Sequence, residues 1–218
     1  MIKVIAAIGA GFLLLAAFSG GAAGAEPAAP TPKGRWLAHQ LDGMGVETKW
    51  IAGAHINWGT GLPDDETETL PGRHTHCSAF VAAAARMLGV YILRPPEHGQ
   101  VLLANAQNDW LASEGAGQGW RVVNGPLDAQ SLANTGALVV ASYHNHRDDK
   151  PGHIAIVRPG DKTERALLSE GPDVIQAATV NSGSISLRAG FAGHPHAWRD
   201  NEINYYAHAV RAAPATAN

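Results

Sequence analysis

The hydrophobic pattern of this 218-residue chain changes period near its middle. In the first half, apolar residues recur at helical spacing, which predicts helices over 36–41, 76–88 and 100–113. In the second half, β-rich runs bounded by Gly, Pro, Asn and Asp predict strands over 120–123, 137–143, 153–157, 166–169 and 203–210. Helices followed by an antiparallel sheet are typical of an α+β domain, and we expect that fold class here.

The first 25 residues have the pattern of a secretory signal peptide. Lys3 precedes an apolar stretch over 4–18, and small residues then lead to an A-x-A site that ends at Ala25. We therefore predict a signal peptide over 1–25 and a periplasmic or secreted protein without a membrane partner after cleavage. An uncleaved anchor is the alternative, although the stretch is short and interrupted by glycine. The remaining chain predicts a linker over 26–34, a single domain over 35–212 and a disordered tail over 213–218.

The charges of the chain are nearly balanced and dispersed. Sixteen Lys and Arg stand against 19 Asp and Glu, and neither sign forms a basic or acidic face. A nucleic-acid partner needs a basic patch, so none is predicted. The acidic run over 64–68 is predicted to be a solvated loop.

Cys77 is the only cysteine of the chain. In an oxidising compartment cysteines usually pair as disulfides, and a solitary thiol has no partner within the molecule. Polar residues give way at Cys77 to a helix-forming run that Gly89 closes, which places the sulfur in the first turn of a helix. There the unpaired backbone N–H groups and the helix dipole favour a thiolate. We predict a nucleophile; the alternative is a small buried hydrophobic residue.

His153 opens the predicted strand over 153–157. An imidazole at that end of the sheet, against the N-terminus of the cysteine helix, could accept the thiol proton and return it to a leaving amine. The alternative is a structural histidine. A base of this kind needs a third polar group that fixes its tautomer. The next predicted strand brings Glu170 beside His153, and Gln176 and Asn181 are the alternatives for the same role.

Two segments resemble those of a known family. THCSAFV at 75–81 and GHIAIV at 152–157 are similar to the NlpC-type and CHAP-type papain-like cysteine peptidases and amidases that cut bacterial cell-wall peptides, and LSE at 168–170 is similar to the strand that bears the CHAP-type glutamate. The resemblance spans about residues 76–176. It implies a papain-like fold, with Cys77 as nucleophile, His153 as base and Glu170 as orienting residue. It also implies hydrolysis of an amide bond in a peptidoglycan peptide through a thioester, without metal or cofactor. An inhibitor or immunity protein is left open as a further partner.

The chain departs from the family pattern at three places. His76 stands where the family usually has Asp or Asn, and we expect this histidine to flank the thiol and stabilise its anion. NTGALVV at 134–140 replaces the usual Pro-Gly-Asp element, and the segment 176–198 has no family counterpart. These departures indicate a divergent member of the family.

Two other classes of function compete with the hydrolase. Three pairs of histidines are spaced two apart, and a zinc or copper site with Cys77 as a further ligand would use such pairs: His74/His76, His144/His146 and His194/His196. These pairs lack the helical H-E-x-x-H pattern or a C-x-x-C partner, so we predict no metal. The other competitor is a non-catalytic cell-wall binding module on the same fold. Trp58 would serve either a substrate groove or the core.

Overall fold

The computed structural model describes residues 27–64 and 74–211. The predicted signal peptide over 1–25, the predicted tail over 213–218 and most of the acidic run over 64–68 lie outside the described residues. Within the described ranges, no helix has the length and apolar character that a membrane span requires.

The described chain forms helices first and then a sheet with further helices between its strands, which confirms the α+β class. In chain order the elements are α1 (Pro32–Gly43), α2 (Cys77–Met87), α3 (Leu103–Ser113), a 3-10 turn (Gly115–Gln118), β1 (Trp120–Val123), α4 (Gly125–Asn134), β2 (Leu138–Tyr143), β3 (His153–Val157), α5 (Glu164–Glu170), β4 (Asp173–Gln176), β5 (Ser182–Ser186), α6 (Leu187–Gly190), α7 (Pro195–Arg199) and β6 (Asn204–His208).

The six strands form one sheet in the order β1-β6-β2-β3-β4-β5, and every adjacent pair is antiparallel. Every residue of the central strands β2 and β3 is buried. Helices cover both faces of these strands, which is why their sequences are almost continuously apolar instead of alternating. The register sets Tyr143 opposite His153, so the first residue of β3 faces the last residue of β2.

Alternate residues of β3 contribute to two separate hydrophobic cores. Ile154 and Ile156 belong to a first core with α2, in which the rings of Trp50 and Phe80 meet edge to face at 5.2 Å. Ala155 and Val157 belong to a second core on the opposite face, with α4 and α6. The two faces follow from the period of two in a strand.

One predicted strand is wrong. Residues 166–169 lie in the helix α5, which Thr163 caps by accepting a hydrogen bond from the Ala166 N–H at 3.3 Å. Leu167 is fully buried whereas Leu168 is 59 % exposed. The short apolar run is therefore one amphipathic helical turn, and a capped turn of this length cannot be distinguished from a strand by periodicity alone. The strands β4 and β5 follow it and were not predicted.

The chain packs onto the domain before residue 35. The helix α1 begins at Pro32, and its cap Thr31 donates from both its backbone N–H and its hydroxyl to the Asn134 carbonyl at 2.9 Å. A Cβ at Gly34 would overlap the same carbonyl oxygen, so this close approach requires glycine. Residues 28–34, predicted as a linker, thus lie against the end of α4.

Replacing Asn134 by alanine should destabilise the fold. The buried amide donates to the carbonyls of Ala28 at 2.6 Å and Gly160 at 2.8 Å, and its oxygen accepts from Gln130 and from the Gly160 N–H, both at 2.9 Å. Asn134→Ala leaves these partners unsatisfied, and we expect the free energy of unfolding in urea to fall by about 3 kcal/mol. The exposed Ser131→Ala on the same helix is the control; equal losses for both variants would contradict this role.

Candidate active site

A cleft of about 550 Å³ opens at the N-terminus of α2. Its walls come from the loops before α2 and before β3, from the start of α3 and from the turn before α7. The lining includes Cys77 together with residues of 55–56, 74–79, 100–104 and 149–151, and His194.

Cys77 is the first residue of α2 and is only 3 % exposed at the bottom of this cleft. Burial raises the pKa of its thiol above the ordinary value, and this effect outweighs the hydrogen bonds that lower it, which come from the backbone of Ile154, Ser78 and Cys77 itself and from the Thr75 side chain. The prediction that the helix start holds Cys77 as a thiolate is therefore wrong for the free protein. The hydrogen bond to Ile154 places the sulfur against the residue that follows His153.

His153 is buried at the start of β3, and its Nε2 lies 2.8 Å from the Oε1 of Gln176. An amide oxygen only accepts hydrogen bonds, so Nε2 carries the proton and Nδ1 keeps the lone pair. Burial lowers the pKa of His153, and the bond to Gln176 offsets this only partly. The imidazole is therefore neutral at neutral pH, which is the form that accepts a proton.

A glycine in α6 makes room for the Gln176 amide. A Cβ at Gly190 would lie 2.8 Å from the Gln176 Oε1 and 3.3 Å from a methyl carbon of Val174. These contacts are tighter than ordinary packing allows, so a larger residue would push the amide away from His153. The segment without a family counterpart thus supports the polar partner of the histidine.

The prediction that Glu170 orients His153 is wrong, and Gln176, one of the two alternatives, makes the hydrogen bond to His153. Glu170 ends the helix α5 and forms an ion pair with the Lys162 Nζ at 2.8 Å, instead of lying on a strand beside His153. The Asn181 amide donates to backbone carbonyls at 46, 49 and 50, so it holds the chain after α1. Gln176 alone among the three is hydrogen-bonded to His153 in the described residues.

His76 and Trp58 lie close to the cysteine helix in different roles. His76 is buried directly before α2, and its Nε2 donates to the Ala54 carbonyl at 2.9 Å, which ties the preceding loop to the helix start. Trp58 packs partly buried against the first core, and the Arg86 guanidinium lies 4.6 Å from the centroid of its ring. The expected stabilisation of a thiolate by His76 stays a prediction.

Asn105 fixes the loop before His153 through hydrogen bonds of its side chain. It was not among the residues predicted for the site. The Asn105 Oδ1 accepts from the Gly152 N–H at 2.7 Å and from the Asn145 N–H at 3.2 Å, and its Nδ2 donates to the Lys150 carbonyl at 2.9 Å. A Cβ at Gly152 would overlap the Tyr143 carbonyl and lie 2.6 Å from the Asn105 Oδ1. This packing explains why glycine precedes His153. An asparagine on the apolar face of a predicted helix was the available signal.

The paired histidines have separate partners. His144, His146 and His196 each lie 2.7 Å from a carboxylate, of Asp109, Glu202 and Asp200 respectively. In the part of the chain that the structure describes, no three His, Cys, Asp or Glu side chains form a group that could hold a metal ion. His194 differs from these three because it lines the cleft and stacks on His153, with ring centroids 5.6 Å apart.

Comparison with known proteins gives no family for this chain. No protein-family model matches it, and no curated protein does so either. The chemistry of the cleft is therefore inferred from the side chains around it: a buried thiol, a neutral imidazole at the start of the neighbouring strand and the amide bonded to that imidazole.

Replacing Gly152 by alanine should disrupt the approach of β2 to the loop before His153. Because the new Cβ overlaps backbone, we expect the free energy of unfolding to fall by about 3 kcal/mol. Gly99→Ala is the matched control, since a Cβ there meets nothing within 4 Å. Urea denaturation of both variants measures the difference, and an equally small effect of the two substitutions would contradict the packing.

The stacked imidazoles of His153 and His194 should make stability fall in mild acid. Burial lowers the pKa of His153, and burial together with the neighbouring His153 lowers the pKa of His194 to about 4. Below the ordinary pKa of 6.5, these histidines bind protons in the unfolded chain but stay neutral in the folded chain. The free energy of unfolding therefore falls from about pH 6.5 towards pH 4. Urea denaturation across this range measures how steeply the free energy of unfolding changes with pH. This change should be less steep in the double variant His153→Gln/His194→Gln. An unchanged slope would exclude both histidines as its source.

Proposed function

We propose that this protein is an exported, papain-like thiol hydrolase that cleaves an amide bond in peptidoglycan peptides. The observation that carries the proposal is the hydrogen bond between the His153 Nε2 and the Gln176 Oε1, which leaves Nδ1 as the proton acceptor at the end of the strand against which Cys77 lies. A nucleophile, a base and a group that orients the base are the minimum for thiol-dependent acyl transfer.

The reaction begins from a neutral pair. When the substrate carbonyl enters the cleft, the Nδ1 of His153 takes the Cys77 proton as the sulfur attacks the carbonyl carbon. Backbone N–H groups at the start of α2 stabilise the oxyanion of the tetrahedral intermediate. The imidazolium then donates the proton to the leaving amine, the C–N bond breaks, and a thioester remains on Cys77. A water molecule, deprotonated by His153, hydrolyses the thioester and restores the thiol.

Because the pKa of the thiol is raised and the pKa of the histidine is lowered, the proposed mechanism starts from two uncharged groups. In the free protein burial disfavours the charged form of both groups, because ionisation of a buried pair requires compensation. Substrate binding supplies it, since negative charge moves from the sulfur to the carbonyl oxygen as the proton moves to His153. A thiol that stays protonated at rest is also protected from oxidation outside the cell.

The cleft has the dimensions and mixed character of a peptide site. Its volume of about 550 Å³ falls within the range of small-ligand pockets. Its lining combines the apolar Val101 and Leu102 with the charged Asp149 and Lys150. Peptidoglycan stem and cross-link peptides combine apolar alanyl methyl groups with free carboxylates and amines. The resemblance of the segments at 75–81 and 152–157 to cell-wall hydrolases supports this substrate class.

Digestion of purified peptidoglycan, followed by mass analysis of the fragments, tests the function. We expect the wild type to release fragments that differ from the substrate by one added water. Cys77→Ala and His153→Ala should lower the rate by about 10⁴-fold, and Gln176→Ala by about 10²-fold because the base loses its orientation. Glu170→Gln should retain the wild-type rate, since Glu170 pairs with Lys162.

Retained cleavage by folded Cys77→Ala would contradict the thiol mechanism. A wild type that binds peptidoglycan in a sedimentation assay without releasing fragments would identify a binding module instead of an enzyme.

A further inference from the structure

His194 connects the cleft with the candidate base. Its ring lies nearly parallel to the ring of His153, with an interplanar angle of 15° and centroids 5.6 Å apart, and it lines the same cleft as Cys77. It belongs to the segment 176–198, for which the family resemblance offers no role. Of the imidazoles in that segment, His194 alone is stacked on His153 among the described ring contacts.

The backbone holds His194 in this position. Its N–H donates to the Phe191 carbonyl at 2.8 Å, and its carbonyl accepts from the Ala197 N–H at 2.9 Å. The Tyr143 ring lies beside the His194 ring, with centroids 5.5 Å apart. The Phe191 and His153 rings meet edge to face, with centroids 4.6 Å apart. The turn between α6 and α7 therefore confines the His153 imidazole with two aromatic rings.

We propose that His194 is a positioning residue for His153: its stacked ring fixes the plane of the imidazole so that Nε2 stays on Gln176, and it closes the cleft-side face of the base to water. The role rests on the proposed function, in which His153 moves a proton. A ring with two restrained neighbours and one hydrogen bond has little freedom to rotate, and small displacements of a base lower its rate steeply.

The charge state of His194 suits this role. Burial and the neighbouring His153 lower the pKa of His194 to about 4, so its ring is neutral when the hydrolase would act. A positive charge that forms on His153 then faces the neutral π-surface of another aromatic ring, which is favourable, instead of a second cation. Among the described residues, the other titratable groups that line the cleft or contact these rings are Cys77, His55, His74, His76, Asp149, Lys150 and Tyr143.

Nitrogen NMR of labelled histidine tests the proposal without any substrate. In the wild type we expect the His153 signals to show the Nε2–H tautomer and a pKa below the ordinary value. His194→Ala should shift the tautomer towards a mixture and raise the pKa of His153. His194→Phe keeps a ring in the stack and should retain the wild-type tautomer. His196→Ala is the matched control, because His196 lies on the same segment but is exposed and hydrogen-bonded to Asp200.

Wild-type tautomer and titration of His153 in His194→Ala would overturn the proposal, as would equal changes in His194→Ala and His196→Ala. On peptidoglycan, His194→Ala should lower kcat about tenfold with KM unchanged. Loss of all activity in His194→Ala with retention in His153→Ala would make His194 the base and would also overturn the proposal. If the wild type cleaves no peptidoglycan, the proposed function fails while the NMR experiment still decides the role of His194.

Discussion

The contact between the first turn of α2 and the beginning of β3 determines the rest of the site. Nine consecutive buried residues over 77–85, mostly alanines, let the helix pack closely against the sheet, so the sulfur of Cys77 comes within hydrogen-bonding distance of the Ile154 backbone. The same strand begins with His153. A bulkier helix would separate the thiol from the end of the strand and with it from the histidine, so the composition of α2 serves the proposed chemistry as well as the core.

That contact also determines the charge states of Cys77 and His153. A helix N-terminus stabilises a nearby anion by about 0.3–1 kcal/mol, whereas taking an ion out of water costs several kcal/mol. Burial therefore dominates at Cys77, and the hydrogen bonds to the thiol reduce the rise in its pKa without reversing it. The same burial lowers the pKa of His153. Both effects disfavour a resting ion pair, and in the proposed mechanism negative charge leaves the sulfur for the substrate carbonyl oxygen as His153 becomes positive.

The parts of the fold that could be predicted are those encoded locally. The strand at 153–157 was predicted with its observed bounds because five apolar or buried residues follow a glycine turn. The helix α5 was predicted as a strand because a short helix with one buried leucine has too little periodicity to be recognised. This error favoured Glu170 over Gln176 as the residue that orients His153. Asn105 and the stacked His194 act through contacts over more than 40 residues, which no local pattern encodes.

Capture of the acyl-enzyme tests the central claim most directly. Wild-type protein mixed with soluble peptidoglycan peptides and quenched in acid during turnover should show, by intact-protein mass spectrometry, a peptide adduct that maps to Cys77. The adduct is the thioester that attack by the sulfur must form. Release of cleavage products without an adduct in the wild type, together with equal release by Cys77→Ala, would contradict the assignment of Cys77 as the nucleophile.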